Sequence, residues 1–420
     1  MMNNLSSKPR YEILDGLRGV AAIIVLIYHH FEEFGPGITS FHGYLAVDFF
    51  FILSGFVVGY AYDDRWKSAA NPNGMTLGGF FKRRLIRLHP MLLFGMFFGL
   101  LMFYFGGGSG LPQIMQSHWP TILISFVFAI TLIPVPKMFD VRGWGEVNSF
   151  NGNSWTLGFE YLANILYALF IRHLGKTMLT LLVILFAILT IGMGLGFDFF
   201  GIMSNRPDYQ PVGTFIGGWD MNPDQVLLGW VRLLYPFFAG LLMSRILATS
   251  KISSTISSEA SSEAASKTAE VSNTLLNRHG FLIASLCLSA VLLVPYVGSQ
   301  EHPLYNGVYE IICILFVFPA IVYMGAKGTV SGKVHGFCKW LGDISYPLYI
   351  THSPIIFTLC IGWKANNPDA TPDQIVFVCI CSIILSLMVA WASLKLWDEP
   401  VRNWLKEKEE EIKTINPTKL

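Results

Sequence analysis

Arginine and histidine recur, at a spacing chemistry can use, inside stretches otherwise too apolar to tolerate them. Arg18 and His29 lie eleven residues apart in the run YEILDGLRGVAAIIVLIYHH. At about 100° per residue that is three turns plus about 20°, so both share one helical face, about 16 Å apart along the axis. An arginine in a membrane span costs several kcal/mol unless it lines a cavity or meets a partner. The alternative is a snorkelling Arg18 and an interfacial His29. His30 points about 100° away from His29 and reads as a neighbour. Asp48, Glu160, Arg232 and His352 fall in other apolar stretches. Helix directions expected from the charge pattern bring these four to His29's outer half or mid-membrane. An inert bundle gains nothing from such a layer, which needs mutual hydrogen bonds to offset desolvation, so a reaction chamber or a transport path is expected there. A second set, Lys82-Arg83-Arg84 and Arg87 before His89-Pro90, opens the third apolar stretch. Arg83 and Arg87 are four apart and share a face, and paired guanidinium groups match phosphate oxygens. Positive-inside bias also places basic residues at such a point.

The elements that must position these side chains are membrane helices. Of 420 residues, 53% are hydrophobic and 14% charged, with mean hydropathy +0.50, against about 25% charged in a soluble domain. Apolar segments at 12–33, 44–62, 85–107, 119–136, 155–171, 177–197, 226–248, 279–298, 307–326, 343–361 and 373–397 include several of the roughly 20 residues that cross a bilayer. Basic clusters follow the second, fifth, seventh, ninth and eleventh segments, among them Arg172 with Lys176 and Lys327 to Lys339, and agree with cytoplasmic loops only if 85–136 crosses an odd number of times. The predicted fold is therefore an all-α polytopic membrane protein with ten crossings and both termini cytoplasmic. One of 85–107 and 119–136, on either side of the Gly106-Gly107-Gly108-Ser109-Gly110 run, is then re-entrant or interfacial. The polar, aromatic stretch 137–154 and the loop 198–225 are expected to face outward and together form a substrate mouth. Trp144, Phe150 and Trp155 read there as a sugar-stacking platform or as ordinary interfacial belt residues.

Residues 1–11 read as a cytoplasmic N-terminus, 12–397 as one membrane domain, and 398–420 as a charged cytoplasmic tail. The Ser/Ala/Thr-rich stretch 251–273 reads as a low-complexity cytoplasmic linker. No cleavable signal peptide is expected, because the first long apolar run carries Arg18. A net charge of +1 leaves no footprint for nucleic acid. No metal-ligand spacing, phosphate loop or dinucleotide fingerprint appears. The six cysteines, all in or beside apolar segments, read as packing residues.

The runs YEILDGLRGVAAIIVLIYHH (11–30), AVDFFFILSGFV (46–57), FFKRRLIRLHP (80–90), SWTLGFE (154–160) and LGDISYPLYITHSP (341–354) resemble the acyltransferase-3 family of membrane O-acyltransferases. The resemblance spans about residues 10–400. It implies transfer of an acyl group, commonly acetyl, from cytoplasmic acyl-CoA to a hydroxyl of a cell-surface or exported carbohydrate. The family's arginine–histidine pattern falls on Arg18 and His29, its arginine pair on Arg83 and Arg87, its glutamate on Glu160 and its late histidine on His352. Thr156 stands where serine is more usual. On this reading His29 is the general base or a transient acyl carrier, oriented by Asp48 or Glu160. Arg18, Arg83 and Arg87 hold the phosphates of the donor. Arg232, His352 or Tyr346 supplies the oxyanion donor. No metal or tightly bound cofactor is implied. Partners are a carbohydrate or glycolipid acceptor, membrane lipids and envelope-building proteins. The place is the cell membrane, the inner one in a Gram-negative source. Some relatives carry a fused extracytoplasmic hydrolase-like domain, which is not expected after residue 397. A multi-span secondary transporter or flippase for an envelope precursor is the alternative. It would move solute without consuming acyl-CoA, and no internal repeat of the transporter kind is evident.

Overall fold

The computed structural model describes residues 10–35, 37, 39–67, 74–106, 111–203, 213–258, 266–298 and 304–415. Each predicted apolar segment is a helix. In chain order these are α1 (Glu12–Phe34), α2 (Ala46–Lys67), α3 (Leu77–Leu101), the short α4 (Pro112–Gln116), α5 (Trp119–Thr131), α6 (Trp155–Leu169) and α7 (Lys176–Gly194). There follow α8 (Pro223–Ser258), α9 (Ser266–Leu292), α10 (Leu304–Ile312), α11 (Phe318–Lys327), α12 (Gly332–Ile356), the one-turn α13 (Trp363–Asn366), α14 (Pro372–Ser393) and α15 (Glu399–Ile415). A π-helical turn, Cys313–Val317, joins α10 to α11. Another, Met102–Gly106, extends α3. Eight helices among the described residues are long and apolar enough to cross a bilayer. The chain is an all-α, multi-pass membrane protein. Within the expected linker 251–273, α8 runs to Ser258 and α9 starts at Ser266, and 259–265 lie outside the described residues.

Side-chain contacts fix relative direction. Arg18 meets Ser345 and His29 lies beside His352, so α1 and α12 run parallel. Tyr346 against Leu88 and Thr358 against Gly106 set α3 parallel to α12. Asp48 with Arg232 and Asp63 with Arg245 set α2 parallel to α8. Ser54 with Glu160 and Asp63 with Tyr167 add α6 to that group. The Arg84–Glu160 and Phe80–Tyr167 contacts run α6 against α3. Thus α1, α3 and α12 point one way and α2, α6 and α8 the other. With 13 residues, α5 reaches only about 20 Å, against about 30 Å of hydrocarbon.

Two helix pairs approach closely through glycine. In α2 and α8, a Cβ at Gly55 would collide with the Phe237 carbonyl oxygen, and one at Gly240 with that of Ile52. In α1 and α12, a Cβ at Gly19 would press on the Leu341 backbone, and one at Gly342 on Asp15. Small residues let backbones approach where lipid offers no hydrophobic drive. Replacing Gly55 by Val forces that pair apart, and a loss of about 1–3 kcal/mol is expected, read as a lower unfolding temperature of the solubilised protein. An unchanged temperature would show that the crossing tolerates a wider spacing.

Much of the stretch 137–154 is packed into the protein and not spread over its surface. Arg142, Asn148, Ser149, Phe150, Asn151, Asn153 and Ser154 are all buried. The Asn148 side-chain oxygen accepts from the backbone N–H groups of Phe150 and Asn151, at 2.9 and 3.2 Å. Asn151 Nδ2 donates to the Ile350 carbonyl of α12 at 2.6 Å. The Asn148 oxygen and the Asn151 amide nitrogen thus find partners in the loop backbone and α12, which offsets part of the cost of burying them. Arg142 pairs with Glu146, and its guanidinium lies 4.2 Å from the Trp144 ring and 5.2 Å from the Phe103 ring. Burial pushes the Arg142 guanidinium down to about 9, which still leaves a cation at neutral pH. Phe150 and Trp155 are core residues, neither belt nor platform. As expected, the two loops meet: Val147 N–H donates to the Trp219 carbonyl at 2.8 Å, beside an antiparallel bridge between Glu146 and Asp220.

Candidate active site

The α1–α12 pair carries one polar layer at each end of its contact. At one end His29 and His352 stand with ring centroids 5.3 Å apart. His29 Nδ1 is 2.5 Å from Glu32 Oε2, one turn along the same helix. With Nδ1–H directed to that carboxylate, Nε2 is left as the acceptor. His352 Nδ1 is 2.8 Å from the Leu348 carbonyl oxygen, so a neutral ring presents Nε2 here also. Between the two rings sits Asn153, from the inserted loop, with Nδ2 at 2.9 Å from His352 Nε2 and 3.4 Å from His29 Nε2. The Asn153 carbonyl accepts from Thr156 Oγ1 at 3.0 Å, and the Thr156 hydroxyl lies 2.9 Å from the Tyr349 hydroxyl. His352 is fully buried, whereas the His29 side chain keeps 17% exposure and Glu32 21%. The reachable imidazole is His29.

The second layer is basic. Arg18 donates from Nε to Ser345 Oγ at 2.8 Å and from Nη2 to the Gly342 carbonyl at 2.7 Å. Buried Arg84 donates to Glu160 Oε1 at 2.6 Å, and Ser54 donates to the same oxygen at 3.2 Å. Arg87 lies within electrostatic reach of Arg84, Arg18 and Glu160. Arg83 and Arg87 are exposed.

The sequence reading needs correction at the two carboxylates. Glu160 was expected with the histidines and instead joins the arginines. Because the inserted loop carries the start of α6 into the bundle, Glu160 sits seven residues, about 10 Å, beyond the level of Asn153. Asp48 forms a buried pair with Arg232 at 2.7 Å, the two side chains 0% and 1% exposed. Arg232 also donates to the carbonyls of Gly217 and Tyr44 at 2.8 and 2.7 Å. Asp48 therefore ties α2 to α8 and the 213–220 loop, and the carboxylate on the His29 ring is Glu32. Sequence reasoning also missed Arg84 and Asn153. The i,i+3 spacing of Glu32 to His29 was a signal; for Asn153 only its nearness to the SWTLGFE run was.

Other polar residues are accounted for locally. His30 Nδ1 turns back on the Leu26 carbonyl at 2.7 Å. Ser154 Oγ donates to the Asn151 carbonyl at 2.6 Å. The six cysteines are free thiols. Among the described residues no group of three or more His, Cys, Asp or Glu is arranged to hold a metal ion.

The all-α, multi-pass bundle thus holds a partly exposed, carboxylate-backed imidazole at one level and a cluster of arginines at another. The acyltransferase-3 profile, described as an acyltransferase domain, matches residues 11–391, and the chain belongs to this family of membrane acyltransferases. It is 22% identical over 402 residues to the peptidoglycan O-acetyltransferase OatA of Listeria monocytogenes, covering 93% of this chain and 55% of the relative. It is 26% identical over 429 residues to the O-acetyltransferase OatA of Staphylococcus aureus, covering 94% of this chain and 58% of the relative. It is also 31% identical over 168 residues to protein 2 in the picA locus of Rhizobium radiobacter, covering 39% of this chain and 83% of the relative. The chain thus spans little more than half the length of the two O-acetyltransferases. No solved structure matches it.

Proposed function

We propose that the chain transfers an acyl group, acetyl foremost, from cytoplasmic acyl-CoA to a hydroxyl of a cell-surface or exported carbohydrate, with His29 as general base or transient acyl carrier. The observation that carries this reading is His29 itself: Nδ1 on Glu32, with the side chain 17% exposed, on the helix that also bears Arg18. A neutral imidazole so held removes the alcohol proton as attack proceeds. Arg18, Arg83 and Arg87 would bind the phosphates of CoA, and the pantetheine arm would bring the thioester toward His29. The two relatives named as O-acetyltransferases support acetyl as the group moved, and the one named for peptidoglycan supports a polysaccharide acceptor. Comparing ester-linked acetate on surface glycans from cells with and without the gene tests it. A fall on deletion, restored by the wild-type gene, is expected; identical acetate would remove the carbohydrate acceptor.

Two residue-level results follow. Replacing Arg83 and Arg87 together by Gln is expected to raise KM for acetyl-CoA at least tenfold with little change in kcat, since a charged hydrogen bond contributes about 1.5–3 kcal/mol. Unchanged donor affinity would place the phosphates elsewhere. Glu32→Gln keeps the shape but not the charge that stabilises a forming imidazolium, so a fall in kcat of about 10–100-fold is expected with the donor KM kept. Equal kcat in the two proteins would show that His29 needs no carboxylate.

The reading includes ten crossings, from the eight long helices together with α6 and α9, and both termini in the cytoplasm. α5 is then the segment that does not cross. The two parallel groups of helices and the basic clusters at Arg172, Lys176 and Lys327 support it. A reporter fused after Lys176 should be active only inside the cell, and external activity would reject this topology.

A further inference from the structure

The reaction proposed above needs a donor for the oxyanion that forms when the alcohol attacks the thioester carbonyl. The candidates apparent from the sequence are each held by other partners. Arg232 directs its N–H groups to Asp48, Gly217 and Tyr44. The Tyr346 hydroxyl donates to the Leu88 carbonyl at 2.7 Å. His352 Nδ1 is spent on the Leu348 carbonyl, which leaves Nε2 an acceptor. That acceptor in turn fixes the Asn153 amide, since only its nitrogen can face a lone pair. One Asn153 N–H is therefore used by His352. The other is directed toward His29 Nε2 at 3.4 Å, long for a hydrogen bond. An alcohol arriving at His29 Nε2 competes for that lone pair and releases this N–H at the place where the carbonyl oxygen of a thioester under attack would sit.

We propose that the Asn153 side-chain amide is the oxyanion donor, and that His352 is the positioning residue that aims it. This rests on the acyl-transfer reading of the same site. In the step, the alcohol oxygen bonds to the thioester carbon and its proton passes to His29 Nε2. The carbonyl π pair moves onto oxygen, where the Asn153 N–H holds it. Collapse re-forms the carbonyl, the C–S pair leaves on sulfur, and His29 returns the proton to give CoA thiol and the ester. Asn153 is set for this by a rigid loop: its carbonyl is bound by Thr156, and two residues earlier Asn151 is anchored to Ile350.

The test compares wild type, Asn153→Asp and Asn153→Ala in proteoliposomes. The measurements are acetyl transfer, acetyl-CoA binding, and inhibition by a trifluoromethyl ketone analogue of acetyl-CoA, whose hydrated or alkoxide form mimics the oxyanion. Asn153→Asp keeps the shape and removes the donor, which guards against misfolding of the alanine variant. Expected is a fall in kcat of about 100–1,000-fold, the scale of losing one oxyanion donor. Acetyl-CoA binding should stay within threefold and analogue affinity should fall in step with kcat. His352→Gln, which retains an acceptor, should keep more activity than His352→Leu. A kcat within threefold of wild type in Asn153→Asp overturns the assignment, as does equal weakening of acetyl-CoA and the analogue, the mark of a purely structural residue. If wild type itself consumes no acetyl-CoA, the acyl-transfer reading falls and this inference with it. If wild type is active and His29→Ala is not, a fully active Asn153→Asp removes this inference alone.

Discussion

Replacing His29 by alanine is expected to lower acyl transfer by about 10²–10⁴-fold, the scale of a lost general base, while the protein reaches the membrane in normal amount. The ring is 17% exposed and its carboxylate partner 21%, so truncation opens space that water can fill and leaves Glu32 solvated. Little stability should be lost. Donor affinity should also persist, because Arg18 stands about 16 Å away along α1 and Arg83 and Arg87 lie on α3, and a fall in kcat with KM kept marks an interaction made in the transition state. His30→Ala is the control: that ring bonds the Leu26 carbonyl of its own helix and should be dispensable for turnover. If His29 carries the acyl group covalently, incubation with labelled acetyl-CoA and no acceptor should leave label on wild type and none on His29→Ala. A folded His29→Ala protein with normal transfer would end the assignment.

The second large effect falls on stability. Asp48→Ala strands the Arg232 guanidinium, which is 1% exposed, and removing one partner of a buried pair costs about 3–5 kcal/mol. Arg232 also holds the carbonyls of Tyr44 and Gly217, so the start of α2 and the 213–220 loop loosen together. Thermal unfolding of solubilised protein should show a clear drop, with loss of activity secondary to it. Replacing both members, Asp48→Leu with Arg232→Met, should recover much of the stability, since an apolar pair of similar volume often matches a buried ion pair. An Asp48→Ala protein of normal stability but no activity would return Asp48 to the chemistry.

The helices were legible because long apolar runs in a membrane have few alternatives, and each of the eleven segments is helical. The Arg18–His29 face was legible for a similar reason: helical periodicity within one element needs no knowledge of its neighbours. Depth across different helices was not. Placing Glu160 beside the histidines assumed that α6 begins at the membrane surface, whereas the loop before it enters the bundle and takes Glu160 down to Arg84. The loop is polar and aromatic and follows an odd crossing, which gives its side but not its packing, and polar residues are buried at low cost only where partners await them. Asn148 and Asn151 have such partners in the loop backbone and α12, and no local pattern announces that. Between 85–107 and 119–136, glycine content was silent, while helix length separates α5 from α3.

The most direct test of acyl transfer centred on His29 uses purified protein in vesicles, labelled acetyl-CoA and carbohydrate acceptors, with CoA thiol and alkali-labile ester measured together. Thiol release matched mole for mole by new ester, present in wild type and lost in His29→Ala, is the predicted result. Thiol release no greater than in protein-free vesicles, or undiminished by His29→Ala, would contradict it.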